Sequence, residues 1–245
     1  MTIETRSLTV DGLNAYLARP TGGSSAGMLL IPMITGIGEQ VREFAAAIAE
    51  TGVTTLSWDP WRGRGTSEDT PMETLFTWMG ELDDDACLAE QKRLLDYLLD
   101  DLGCTRAGVI GWCLGGRFAL ILGGQDSRVA GVVAYHPTVP GTPAPNHTVD
   151  VVDHTARIQA PVMMLYPGAD DLVPVESFHR LQTALNSRNS GPSIVHVYPG
   201  AEHGFSARHR HGNPVNAEAF AISWPQVLEF VKVTTHAPGG RSGQA

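Results

Sequence analysis

Three side chains have the types and the chain order needed for covalent acyl chemistry: the thiol of Cys113, the carboxyl of Asp170 and the imidazole of His203. Cys113 lies in Gly111-Trp112-Cys113-Leu114-Gly115-Gly116, between a short apolar run, Val109-Ile110, and an apolar stretch from Phe118 to Leu122. That layout predicts strand, sharp turn and helix. Gly111 and Gly115 stand two residues either side of the thiol, where they leave room for the chain to double back. A free thiol titrates near pH ~8.5, so few molecules are ionised at neutrality. The start of the following helix lowers that value through its dipole. A histidine takes the thiol proton and later returns it to a leaving group, and a carboxylate fixes the histidine tautomer and stabilises its cation.

Each of the three residues follows an apolar run that reads as a strand. Asp170 follows Val162 to Tyr166, in Tyr166-Pro167-Gly168-Ala169-Asp170-Asp171, and His203 follows Ile194 to Tyr198, in Pro199-Gly200-Ala201-Glu202-His203-Gly204-Phe205. In an open parallel sheet, functional groups gather at the carboxyl ends of the strands. Asp171 competes with Asp170, with a cap on the following helix as its other use. Cys87 and Cys104 read as small core residues. His136 reads as a loop or pocket-wall residue, and His209 and His211 as part of a solvated loop. An oxyanion forming beside Cys113 needs two backbone N–H donors: Leu114, and Ile34 in the loop after the Met28 to Ile34 run.

The elements that must position these groups follow from patterning. Glu4 to Arg19 reads as a β-hairpin turning at Asp11-Gly12. Met28 to Ile34 is a nearly continuous apolar run, as a strand covered on both faces requires. A helix is predicted over Glu39 to Gly52 and a strand over Val53 to Trp58. A polar loop then runs from Asp59 to Pro71, and Met72 to Leu102 reads as mostly helical, ended by Gly103. Val129 to Tyr135 is a further strand, and a last helix covers about Asn216 to Val231. Alternating strands and helices give a mostly parallel sheet covered on both sides. The expected organisation is a single domain over residues 1–235 and a disordered tail over 236–245.

Composition narrows the partners. The chain has 245 residues, 42% hydrophobic and 18% charged, with a net charge of −9. Those are globular values, and the acidic balance argues against a nucleic-acid surface. Three cysteines are too few for a disulfide framework. No run reaches membrane-spanning length and the N-terminus does not read as a signal peptide. A cytoplasmic protein without cofactor or metal, monomeric or a small homo-oligomer, is expected.

The three segments around Cys113, Asp170 and His203 resemble the dienelactone hydrolase family, whose Gly-x-Cys-x-Gly-Gly element stands out because most α/β-hydrolases carry serine there. The resemblance runs in order from the Met28 strand to the final helix. It implies an α/β-hydrolase fold with a mostly parallel central sheet, helices on both faces and no large lid domain. It also implies Cys113, Asp170 and His203 as a triad, with Ile34 and Leu114 as oxyanion donors. One departure concerns substrate. The family prototype places a glutamate before its first oxyanion donor, where it helps to ionise the thiol; the matching residue is Met33, which cannot accept a proton. The prototype also holds a substrate carboxylate with arginines. Arg208 lies near one such position, and Arg62 and Arg64 are alternatives on an earlier strand-end loop.

The function expected is hydrolysis of small esters or lactones through an acyl-thioester, in a pocket lined by Met33, Trp61, Trp78, Phe205 and Trp112. Thioester cleavage or acyl transfer uses the same groups. The contrasting expectation is a non-catalytic fold that binds a small ligand, which Cys113→Ala separates from the first. A redox-sensing thiol at Cys113 has no resolving cysteine placed beside it.

Overall fold

The hairpin turn sets the edge of the sheet. Asp11 and Gly12 both have positive φ, 47° and 82°, as a two-residue turn between twisted strands requires. Strands β1 (Ile3–Val10) and β2 (Leu13–Pro20) pair antiparallel around it, from Ile3 opposite Pro20 to Val10 opposite Leu13. The structure, a computed structural model, describes residues 1–65 and 70–236. The expected tail, apart from His236, lies outside the described residues, as do residues 66–69 of the Asp59 to Pro71 loop.

Six further strands follow: β3 (Ala26–Ile31), β4 (Thr54–Trp58), β5 (Arg106–Trp112), β6 (Val129–Tyr135), β7 (Val162–Pro167) and β8 (Ser193–Tyr198). The sheet has eight strands in the order β1-β2-β4-β3-β5-β6-β7-β8. β2 runs antiparallel to β1 and β4, and the pairs from β4 through β8 are parallel. The strand order reverses at β3, which pairs with β4 on one side and β5 on the other. Such a switch point opens a crevice at the carboxyl ends of the strands. Here Ile31 at the end of β3 lies opposite Gly111 near the end of β5, so the loop after β3 sits beside the turn that carries Cys113.

Helices cover both faces. On one face, α1 (Glu39–Glu50) and α7 (Pro214–Thr235) bury Phe44, Ile48, Val227 and Val231 against Met28, Leu30, Ile110 and Val133. On the other, α3 (Asp84–Asp96), α4 (Leu114–Gln125), α5 (Val151–Arg157) and α6 (Val175–Asn186) pack on Leu29, Ile31, Val109 and Val132. Alternate residues of one strand thus feed opposite cores. No helix among the described residues is long and apolar enough to cross a membrane.

Several boundaries differ from the sequence expectation for local reasons. The strand expected to reach Ile34 stops at Ile31: Pro32 has no N–H to give the ladder, and Met33 to Gly36 form a turn closed by Gly36 N–H on Met33 O at 2.9 Å. The long helix expected from Met72 is two helices. α2 (Met72–Gly80) ends at a glycine, and α3 restarts where the Asp83 carboxylate accepts from Ala86 N–H. A π-helical turn, Tyr97–Asp101, then carries α3 to Gly103. The last helix begins two residues early, because Asn213 caps it, with Pro214 in its first turn.

Candidate active site

The turn after β5 is strained by design of its neighbours. Cys113 has φ 56° and ψ −116°, a region that side chains other than glycine rarely occupy. It survives because the flanking backbones approach more closely than any Cβ permits. A Cβ on Gly111 would lie 2.0 Å from Gly115 O, and one on Gly115 would lie 2.0 Å from Ile31 O. Cys113 N–H donates to Tyr135 O at 3.0 Å, and its carbonyl accepts from Arg117 N–H at 3.2 Å and Thr138 N–H at 3.0 Å. The half-buried side chain stands at the start of α4.

The structure brings Cys113, Asp170 and His203 together. His203 Nε2 lies 3.2 Å from Cys113 Sγ, and His203 Nδ1 lies 2.8 Å from Asp170 Oδ2. The parallel register of β7 and β8 ends with Pro167 opposite Tyr198. Beyond it, Gly168 N–H donates to Tyr198 O and Ala169 N–H to Ala201 O, each at 2.9 Å, so the two loops stay joined. Asp170 Oδ1 accepts from Leu172 and Val173 N–H, both at 2.9 Å, which locks the carboxylate while its other oxygen faces His203. Asp171 does not cap α6, whose N-cap is Pro174 without a side-chain bond.

Electrostatics follow from this geometry. Burial works against a charge on His203, but its hydrogen bonds to Asp170 and Cys113 outweigh it and push the imidazole up to about 10. Burial raises the Cys113 thiol, yet His203, Thr138 and the Leu114 N–H together hold it below its ordinary value. Both directions favour transfer of the thiol proton to the imidazole. By contrast, burial pushes the Cys87 thiol up to about 12 and Cys104 to about 11.

The expected oxyanion donors sit on the two loops that meet at the switch point. Leu114 N–H, directly after Cys113, is among the groups that lower the thiol. Ile34 N–H donates to no acceptor among the described residues, while its carbonyl accepts from Trp61 Nε1 at 3.0 Å. Trp61 is 3% exposed and packs on half-buried Trp78 at 5.6 Å, so it pins the loop rather than lining an open pocket.

Other expected contacts are placed differently. Phe205 is fully buried among Tyr135, His136 and Tyr198, and Trp112 stacks on Phe44 at 4.8 Å in the same core, so neither reaches an open pocket. Met33 is buried in that same core. Arg62 pairs with buried Glu90 at 2.9 Å, Arg64 with Glu81 at 2.7 Å, and Arg208 with Glu43. All three arginines therefore have carboxylate partners within the chain, from elements distant in sequence.

Two features had no clear sequence signal. Thr138 Oγ1 lies 3.1 Å from Cys113 Sγ and 3.5 Å from His203 Nε2. Asn216, fully buried at the start of α7, accepts from Glu202 N–H at 2.9 Å and donates to Glu202 Oε2 at 2.8 Å, which fixes the loop bearing His203.

An eight-stranded, mostly parallel sheet with a strained turn after β5 is the α/β-hydrolase fold. The crystal structure named "Putative Dienelactone Hydrolase" from Klebsiella pneumoniae subsp. pneumoniae superposes with a TM-score of 0.84 at 22% identity, covering 94% of this chain and 99% of that one. The dienelactone hydrolase family profile matches residues 13–235, and the chain belongs to that family. Its curated relatives include carboxymethylenebutenolidase of Rhodococcus opacus, 28% identical over 210 residues and covering 85% of this chain and 81% of the relative. Carboxymethylenebutenolidase 2 of Cupriavidus pinatubonensis is 28% identical over 200 residues, covering 81% of each chain.

Proposed function

We propose that this protein hydrolyses small carboxylic esters or lactones through an acyl-thioester on Cys113. The observation that carries the reading is the relay of contacts from sulfur to His203 at 3.2 Å and from His203 to Asp170 at 2.8 Å, in a chain of the dienelactone hydrolase family.

In the first step the Cys113 thiolate adds to the carbonyl carbon, and the displaced electron pair moves to the carbonyl oxygen. Leu114 and Ile34 N–H stabilise that oxyanion. The intermediate collapses, the C–O bond breaks, and His203 Nε2 gives its proton to the leaving oxygen. A lactone opens without losing its alcohol, which stays tethered to the acyl group. His203 is then neutral, oriented by Asp170, and takes a proton from water as the water oxygen adds to the thioester carbon. The second intermediate breaks its C–S bond, the pair returns to sulfur, and the acid departs. No carboxylate stands at Met33 to share the thiol proton, so ionisation of Cys113 rests on His203 and on hydrogen bonds to the sulfur.

The test is turnover of p-nitrophenyl acetate, a small thioester and a dienelactone by wild type and Cys113→Ala. Loss of all turnover in the variant supports the reading, and the preferred substrate sets its class. Equal turnover by both proteins overturns it, and binding without turnover by the folded wild type favours a ligand-binding role.

A further inference from the structure

Thr138 enters the two-step scheme only as one of the hydrogen bonds to the sulfur, with no step of its own, yet the chain goes to some expense to place it. After β6 the backbone passes through His136, fully buried and with φ 34°. That conformation is strained for a histidine. His136 N–H donates to Leu165 O at 2.8 Å and its Nε2 meets Ser206 Oγ at 2.8 Å, so its surroundings hold it there. Pro137 packs against the first turn of α4, where a Cβ on Gly116 would lie 3.0 Å from Pro137 Cα. The next residue then grips the nucleophile twice. Thr138 N–H donates to the Cys113 carbonyl at 3.0 Å, and Thr138 Oγ1 lies 3.1 Å from Cys113 Sγ.

The proton inventory assigns the direction of that second contact. A hydroxyl has one proton to give. An ionised sulfur accepts only, and an imidazolium donates only. In the ionised pair the proton sits on His203 Nε2, which lies 3.2 Å from the sulfur, whereas its 3.5 Å separation from Thr138 Oγ1 is long for a hydrogen bond. Donation from Thr138 to the sulfur therefore satisfies all three groups. The groups facing the sulfur and its histidine are then Thr138, His203, Leu114 N–H, Asp170 behind His203, and His136, whose ring packs edge-on to His203 at 5.1 Å.

We propose that Thr138 is a further catalytic residue, whose hydroxyl donates to the Cys113 sulfur and stabilises the thiolate both before attack and when it leaves the acyl carbon. The assignment rests on the reading of Cys113 as nucleophile. While the sulfur is acylated it carries no charge, so this hydrogen bond is strong in the free enzyme and weak in the acyl-enzyme. It strengthens again as the C–S bond breaks and the electron pair returns to sulfur, which is the moment at which it speeds the second step.

The experiment measures the rate of Cys113 alkylation by iodoacetamide against pH in full-length wild type, Thr138→Val and Thr138→Ser, with the adduct assigned by peptide mass. Steady-state hydrolysis of p-nitrophenyl acetate is followed in parallel. Alkylation reads sulfur ionisation without any ester turnover, so a failure of the hydrolase reading shows separately. Thr138→Val is expected to move the alkylation midpoint up by about one pH unit and to lower kcat by about tenfold, while Thr138→Ser stays with wild type in both. Should the valine variant not fold, Thr138→Ala carries the same comparison. A variant lacking the hydroxyl whose midpoint coincides with wild type overturns the proposal, wherever that midpoint falls. So does a serine variant displaced as far as the valine, because the methyl group would then be what matters.

Discussion

Arg117 and Asp84 meet in a doubly hydrogen-bonded pair, 2.7 Å at each carboxylate oxygen, with both side chains 2% exposed. Arg117 lies one turn beyond Cys113 on α4, and Asp84 opens α3. The same two side chains hold the backbone of Val149, through Val149 N–H on Asp84 at 3.0 Å and Arg117 on Val149 O at 3.1 Å. The pair therefore ties the helix that follows Cys113 to α3 and to the segment leading into α5.

Breaking this pair from one side strands a buried charge. Asp84→Asn is expected to lower unfolding free energy by about 3–5 kcal/mol, measured by urea denaturation; a loss under about 1 kcal/mol would contradict the account. Burial raises the Asp84 carboxyl, but the bonds from Arg117 and Val149 hold it below its unfolded value of 3.8. The stabilisation it confers is thus present above pH 3.8 and is lost as pH falls from there through the lower folded value.

The three thiols are expected to separate cleanly. Burial pushes Cys87 up to about 12 and Cys104 to about 11, whereas Cys113 is held low. At neutral pH the native protein should take one iodoacetamide, on Cys113, and three after unfolding, as read by intact mass. Native labelling of Cys87 or Cys104 at a comparable rate would be inconsistent with this.

The pH profile of hydrolysis carries the sign of the His203 shift. His203 keeps its proton until about pH 10, and in the proposed mechanism that proton is the one given to the leaving oxygen. Activity should therefore rise as the Cys113–His203 pair ionises, on the acid side of an ordinary thiol, and fall near pH 10. Asp170→Asn removes a bond that raises His203, so the alkaline limb should move to lower pH, with kcat reduced by about 10⁴-fold. An alkaline limb that stays in place would remove Asp170 from this role.

Gly115→Ala tests the turn rather than the chemistry. A Cβ there would stand 2.0 Å from Ile31 O, a backbone atom of the central strand. The substitution should cost at least about 3 kcal/mol or prevent folding, read by thermal melting and soluble yield. A stable variant with wild-type activity would show that the turn and β3 can move apart.

Legibility in the sequence tracked the range of the interactions involved. The β1–β2 turn and the limits of β6 follow from local chemistry and are legible directly. The loops bearing Cys113, Asp170 and His203 were legible because each follows a strand of one parallel sheet, and the sheet converges them. The break after Gly80 was written locally too, in that glycine and the Asp83 cap, but the leucines beyond it suggested continuity. Phe205 and Trp112 look like pocket residues by their closeness to the motifs; strand alternation and the turn after Glu202 send them into the core. The arginines and Thr138 were opaque for one reason. Their partners are distant in sequence, and Thr138 depends on an unusual backbone at His136 that no residue pattern announces.

The measurement that bears most directly on the central claim is rapid acid quench of the enzyme with p-nitrophenyl acetate, followed by intact and peptide mass. The account predicts a single acetyl group on the peptide containing Cys113, lost on raising the pH and absent in Cys113→Ala, which should not turn over. Undiminished hydrolysis by Cys113→Ala, or an acetyl group carried through turnover on another residue, would contradict it.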